Sequence, residues 1–191
     1  MTNRELQDFK NCLHGSLKAM QKGIHLVVKE QEEESVIQEI TFKFAQRDNV
    51  LIIQQDIKNC PPITNLFGNN ENRIESCDFI VLLTKNRDLK IFFCEIKSSN
   101  TRETREKAKR QIESSKIFFE YLYKSYLHKY SKNIDFNTAI ENAKSLILYP
   151  ASMSQKRPTY SSEDNLIQCK IEVDDNGKCD IDGYEFFGSN Q

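Results

Sequence analysis

Three charged side chains stand where charge is costly. Asp78 opens the apolar run CDFIVLLT (residues 77–84), and Glu95 and Lys97 close the next run, LKIFFCEIK (residues 89–97). Charges inside such runs persist when they are paired or bound to metal. Two carboxylates with oxygen-only ligation suit Mg²⁺ or Mn²⁺, and a lysine beside them can orient a water and offset developing negative charge. A Glu-x-Lys pair on a strand is ordinarily an exposed ion pair, but here the residues flanking it on both faces are apolar. Residues two apart share a strand face, so Glu95 and Lys97 point the same way. The short link KNRD (85–88) makes the two runs antiparallel neighbours. A pairing centred between Arg87 and Asp88 sets Asp78 opposite Lys97; a one-residue shift sets it opposite Glu95. In either register, two carboxylates and a lysine converge at one end of a hairpin.

The elements that must position them follow from periodicity. Leu6, Phe9, Leu13, Leu17 and Met20 fall at three- and four-residue steps, which predicts an amphipathic helix over 3–21 closed by Gly23. Residues 24–28 (IHLVV) read as a short extended segment. In EESVIQEITFKFAQ, Val36, Ile37, Ile40 and Phe44 share a helical stripe, and a helix is favoured; residues 40–44 also alternate like a strand. Residues 50–57, 77–84 and 89–97 are strands, the last apolar on both faces and so central to its sheet. Ser98, Ser99 and Asn100 offer N-caps to a long helix at about 101–130, with Gln111 inside its apolar arc. Residues 144–149 (KSLILY) form a further buried strand stopped by Pro150. Residues 165–173 and 178–186 suggest a hairpin around Asn176-Gly177. The order is helix, three strands, helix, strand, with additions at both ends.

Asp78, then sixteen residues, then Glu95-x-Lys97, in α-β-β-β-α-β order over about residues 30–150, resembles the PD-(D/E)XK nuclease superfamily. The resemblance implies an α/β, restriction-endonuclease-like core whose mixed central sheet is flanked by helices. An N-terminal helix (1–23) and a C-terminal loop and hairpin (151–191) would complete one domain. It further implies that Asp78, Glu95 and the carbonyl of Ile96 hold Mg²⁺ or Mn²⁺, and that Lys97 positions or deprotonates the attacking water. Cys77 stands where the motif's name has proline. The superfamily often adds a glutamate from its first core helix. Glu33 lies within about 60° of the stripe of Val36, Ile37, Ile40 and Phe44 and is the candidate, with Glu30 and Glu34 in reserve. Gln111 resembles the glutamine of the RecB-like branch, although Ser115 replaces the tyrosine usual four residues on. The implied activity is hydrolysis of phosphodiester bonds in nucleic acid, DNA more often than RNA. The alternative is a non-catalytic binding module or accessory subunit on the same fold, within a defence or mobile-element complex.

Composition narrows the field. The 191 residues carry 27 Lys and Arg against 28 Asp and Glu, a net charge of −1. Residues 85–132, however, hold 13 Lys and Arg against 6 Asp and Glu. Within them Arg102, Arg105, Lys109 and Lys116 share one flank of the long helix and are candidates for a phosphate backbone. No apolar run approaches the roughly 20 residues of a membrane helix. The first residues lack the apolar core of a signal peptide, so a reducing, cytoplasmic setting is expected and the six cysteines are read as thiols. Their spacing with the three histidines matches no zinc site. Nor does any GxGxxG, Walker A, HExxH or GxSxG motif occur. A homodimer or a larger complex remains open as the source of site specificity.

Overall fold

The computed structural model describes residues 1–30, 32, 34–45, 49–54, 75–130, 137–151 and 165–189. Helix α1 (Asn3–Cys12) starts on a capping box. The Thr2 hydroxyl accepts the Glu5 N–H, and the Glu5 carboxylate accepts the Thr2 N–H at 2.7 Å. Its stripe buries Leu6 and Phe9 completely. The helix expected over 3–21 ends at Cys12 instead. His14 caps a single 3₁₀ turn (Gly15–Leu17), and the Ala19 N–H bonds the Ile52 carbonyl rather than a helical partner. Leu13 and Leu17 still reach the core, so their spacing reports burial, not helix. Strands β1 (Met20–Lys22) and β2 (His25–Lys29) then form a hairpin at Gly23, whose φ is +60°.

Residues expected to continue as helix form β3 (Glu39–Lys43). Alternation decides the matter: Ile40 and Phe42 are buried, while Thr41 and Lys43 face outward. The strand pairs antiparallel with β2 and parallel with the late strand β9 (Lys178–Asp182), a long-range partner that no local pattern announces.

The larger sheet takes up the three expected strand runs. Strands β4 (Val50–Gln54), β5 (Phe79–Lys85) and β6 (Asp88–Ile96) are successively antiparallel. Asn86 and Arg87, at φ 54° and 68°, form the two-residue turn between β5 and β6. Helix α2 (Arg102–Lys129) is capped by Thr101, one residue beyond the expected caps. It crosses over, followed by the short α3 (Asn137–Glu141), to β7 (Lys144–Pro150), which lies parallel to β6. Strand β8 (Leu166–Ile171) adds in parallel, giving the order β4-β5-β6-β7-β8 among the described residues, with β6 central.

The expected C-terminal hairpin does not form. The turn exists, with the Asp174 N–H donating to the Lys178 carbonyl at 2.9 Å. Its arms, however, enter different sheets: β8 joins β7, β9 joins β3, and α4 (Gly183–Ser189) follows. Helices also flank the larger sheet differently from expectation. One face carries α1, α2 and α3 over Ile80, Leu82 and Phe93. The other is covered by the sheet β1-β2-β3-β9 and by α4, whose Phe187 packs 4.9 Å from Phe92 and 5.4 Å from Phe42. The class is α/β, with two mixed sheets. Among the described residues no helix is long and apolar enough to cross a membrane. Cys12, Cys77, Cys94, Cys169 and Cys179 are free thiols, and Cys60 lies outside the described residues.

Candidate active site

The register Phe79↔Cys94 carries Asp78 opposite Glu95, the second of the two expected pairings. Both carboxylates accept backbone hydrogen bonds across the hairpin. Asp78 Oδ2 accepts the Ile96 N–H at 2.6 Å, and Glu95 Oε2 accepts the Asp78 N–H at 3.2 Å. In an extended strand the N–H and C=O of one residue point to the same side, so the Ile96 carbonyl also faces Asp78. Lys97 Nζ sits between two acceptors, Glu95 Oε1 at 2.5 Å and Gln111 Oε1 at 2.8 Å. Gln111 is 9% exposed and Glu95 only 2%.

Helix α2 also fixes the approach to Asp78. Gln111 Nε2 donates to the Ser76 carbonyl at 3.4 Å, and the fully buried Ser115 accepts the Cys77 N–H at 2.8 Å. The segment before β5 is thus clamped from the helix, and Cys77 needs no special backbone conformation. Burial raises the Cys77 thiol strongly, so it stays neutral.

The electrostatics are those of an undercompensated acidic pair. Burial pushes the Asp78 carboxyl well above the ordinary carboxylate range, and Glu95 and then Glu30 add to the shift. Burial lifts Glu95 to about 7, although Lys97 works against it. Burial also disfavours the Lys97 ammonium, but Glu95 and Asp78 outweigh it and hold the group above its usual value. The donor set fits a hard divalent cation: two carboxylates and a carbonyl, with an excess of buried negative charge.

Asp78, Glu95, Ile96, Lys97 and Gln111 are therefore brought together. Glu33 lies outside the described residues, and the helix that was to present it is absent from 35–44. Of its two reserves, Glu34 is exposed, whereas Glu30, half-buried just past β2, acts on both Asp78 and Glu95. Gln54, at the end of β4, steadies that segment by donating to the Lys29 carbonyl at 2.6 Å. Glu32 acts on Lys97. Sequence reasoning passed over Glu32, Gln54 and the clamp by Ser115. Sequence reasoning named Glu30 only in reserve, behind Glu33. Among the described residues no group of three or more His, Cys, Asp or Glu is close enough to hold a metal ion.

The basic flank divides. Arg105 bonds the Asn100 carbonyl and Oδ1 at 3.3 and 3.2 Å, just beyond the Glu95–Lys97 strand. Lys109 and Lys116 pair with Glu106 and Glu113, and Arg102 is exposed. At 100° per residue this flank and Gln111 border opposite sides of the buried arc of α2. No family model matches the chain, and neither the curated proteins nor the solved structures contain a match.

Proposed function

We propose that the chain is a divalent-metal-dependent nuclease of the PD-(D/E)XK type on a restriction-endonuclease-like core. The observation that carries this is the convergence of Asp78, Glu95, Lys97 and Gln111 at the end of a buried hairpin, next to the crossover helix. The β4-β5-β6 meander, the α2 crossover and the parallel β7 supply the βββαβ part of that core in order. The leading helix is the departure: α1 is separated from the meander by β1, β2 and β3. Glu30, from a strand end, adds charge that acts on the pair without completing a three-acid ligand set, and Glu33 lies outside the described residues.

Asp78, Glu95 and the Ile96 carbonyl would hold Mg²⁺ or Mn²⁺, which supplies Lewis-acid stabilisation of charge on the phosphate oxygens. The chain's own residues do the rest. Lys97 spends two of its three donors on Glu95 and Gln111, and the third is directed at a water or a phosphate oxygen. Because its neighbours keep it charged, Lys97 orients the nucleophile and offsets negative charge rather than removing a proton. Gln111 holds the ammonium in place and ties it to the backbone before Asp78.

The test is cleavage of single- and double-stranded DNA and RNA with Mg²⁺ and Mn²⁺, beside Asp78→Asn and Lys97→Ala. Each variant is expected to lose at least about a hundredfold in rate. Equal metal-dependent cleavage by both variants would sink the reading. One observation favours a second reading, a non-catalytic binding module: the Asp78 and Glu95 carboxylates already accept the backbone N–H groups of Ile96 and Asp78. Calorimetry with Mn²⁺ separates the two, since a binding module takes up no ion with or without nucleic acid.

A further inference from the structure

A concave feature lies at the end of the larger sheet where β6 runs past the start of β7, away from the acidic pair. It is a cleft of about 940 Å³ bounded by α2, α3 and the edge strand β8. Arg87, Lys90, Lys116 and Lys144 line it, opposed by Asp88 and Glu141. Its cations outnumber its acids in a chain whose net charge is −1. They come from four elements: the β5–β6 turn, β6, α2 and β7. Cations strung out in this way match a row of phosphates better than a single phosphate group. Between them Ala139, Ala143 and Leu166 offer apolar surface for sugars and bases.

The cleft also has a defined relation to the acidic pair. The register pairs Glu95 with Ile147 and Ile147 with Gln168, so Gln168 stands two strands from Glu95, about 10 Å away. Gln168 lines the cleft and accepts a hydrogen bond from Asn100 Nδ2 at 2.7 Å; Asn100 in turn holds Arg105. The wall nearest the carboxylates is thus built by side-chain hydrogen bonds that begin directly after Lys97.

We propose that this cleft seats a single strand of nucleic acid, with phosphates on Arg87, Lys90, Lys116 and Lys144, and delivers it toward Glu95. Its volume falls within the roughly 300–1,000 Å³ of small-ligand sites, enough for a few nucleotides of one strand and too small to enclose a duplex. Lys116 enters by exchanging an exposed pair with Glu113 for a phosphate, and such a pair is weak. Seating of the strand stands on the cleft itself; only its delivery to a cleaving site rests on the nuclease reading.

The experiment measures binding without catalysis. Fluorescence anisotropy with the full chain in chelator follows labelled thymidine and uridine oligomers of about ten nucleotides, and a duplex of equal length. Single strands of one or both sugars should bind more tightly than the duplex. Lys116→Ala/Lys144→Ala should weaken that binding at least tenfold and lower the salt slope by about 1.4. The Lys→Arg pair should retain it, and melting curves of all variants should match the wild type. Undiminished binding by the double alanine variant, duplex bound as tightly as single strand, or no oligomer bound at all would each overturn the proposal. If no metal supports cleavage yet the double variant loses binding, the cleft stands and the nuclease reading falls.

Discussion

Glu95 shows what burial does to a single carboxyl. An ordinary carboxyl of its kind titrates at 4.5, and burial moves it to about 7. Between those values the native protein binds more protons than the unfolded chain, so unfolding free energy falls as pH rises. The contribution from the neutral carboxyl is fully present below about pH 4.5 and is gone above about pH 7. Asp78 is raised by the same burial and adds to the slope. Asp174 and Asp180 are held below the ordinary range by hydrogen bonds from the Lys178 backbone and Lys43, so they act in the opposite sense only at more acidic pH. In metal-free buffer the melting temperature should therefore drop across about pH 4.5 to 7, and Glu95→Gln should flatten much of the drop. Mn²⁺ at neutral pH should raise the wild-type melting temperature and leave that of Glu95→Gln nearly unchanged. Identical pH profiles for the two proteins would contradict the burial of this charge. The residue was legible in the sequence because a carboxylate amid Phe92, Phe93, Cys94 and Ile96 has no solvent-facing excuse. Glu30 was not, because it opens a run containing Glu32, Glu33 and Glu34, and composition cannot say which of several glutamates turns inward.

At the level of elements, legibility followed the range of the deciding contacts. Strands β5 and β6 are joined by a two-residue turn, and α2 carries its apolar arc over 28 residues, so local pattern suffices for both. The residues of β3 share a helical stripe that favours helix, and the strand is set by pairing with β2 and with β9 from the far end of the chain. The same event misled the reading of the C-terminal turn, whose shape is local but whose arms are sorted by partners elsewhere. Gly177 is where that sorting is enforced. Its φ is +70°, its carbonyl accepts the N–H groups of Gln38 and Glu39, and a Cβ there would lie 2.5 Å from the Val36 carbonyl. Gly177→Ala should cost about 1–3 kcal/mol or more in denaturant unfolding, through strain and lost pairing. The clamp from α2 gives a contrasting case. Ser115→Ala leaves the buried Cys77 N–H without its acceptor, which costs about 1–3 kcal/mol. It should also lower the cleavage rate through displacement of Asp78, with Ser115→Thr restoring part of both; stability lost with the rate intact would make the clamp purely structural.

Across the whole molecule, the acidic pair belongs to one sheet while the charge that most resembles its third member belongs to the other. Glu30 follows β2, and its N–H bonds the Gln38 carbonyl beside β3; β3 is in turn held by β9 and, through Phe42 and Phe44, by α4. Asp78 and Glu95 lie on the β5–β6 hairpin, and Gln54 of β4 reaches across to the Lys29 carbonyl. The position of Glu30 relative to the pair is therefore a property of how the two sheets pack, which explains why periodicity on one segment could not assign it. This arrangement predicts a specific pattern of metal affinity. Glu30→Gln should weaken Mn²⁺ binding about tenfold in calorimetry, a loss of about 1.4 kcal/mol, because a carboxylate charge that acts through space on Asp78 and Glu95 is gone. Glu34→Gln, four residues on and exposed, should leave the affinity unchanged. Phe187→Ala, which removes a fully buried ring between the sheets, should cost about 3–5 kcal/mol of stability. At temperatures where that variant is still folded, it should weaken Mn²⁺ binding in the same direction as Glu30→Gln, since loosened sheets hold Glu30 less firmly. If Phe187→Ala lowers stability while Mn²⁺ binds as tightly as in the wild type, Glu30 is held by its own strand and Gln54 alone, and the packing of the two sheets does not tune the site.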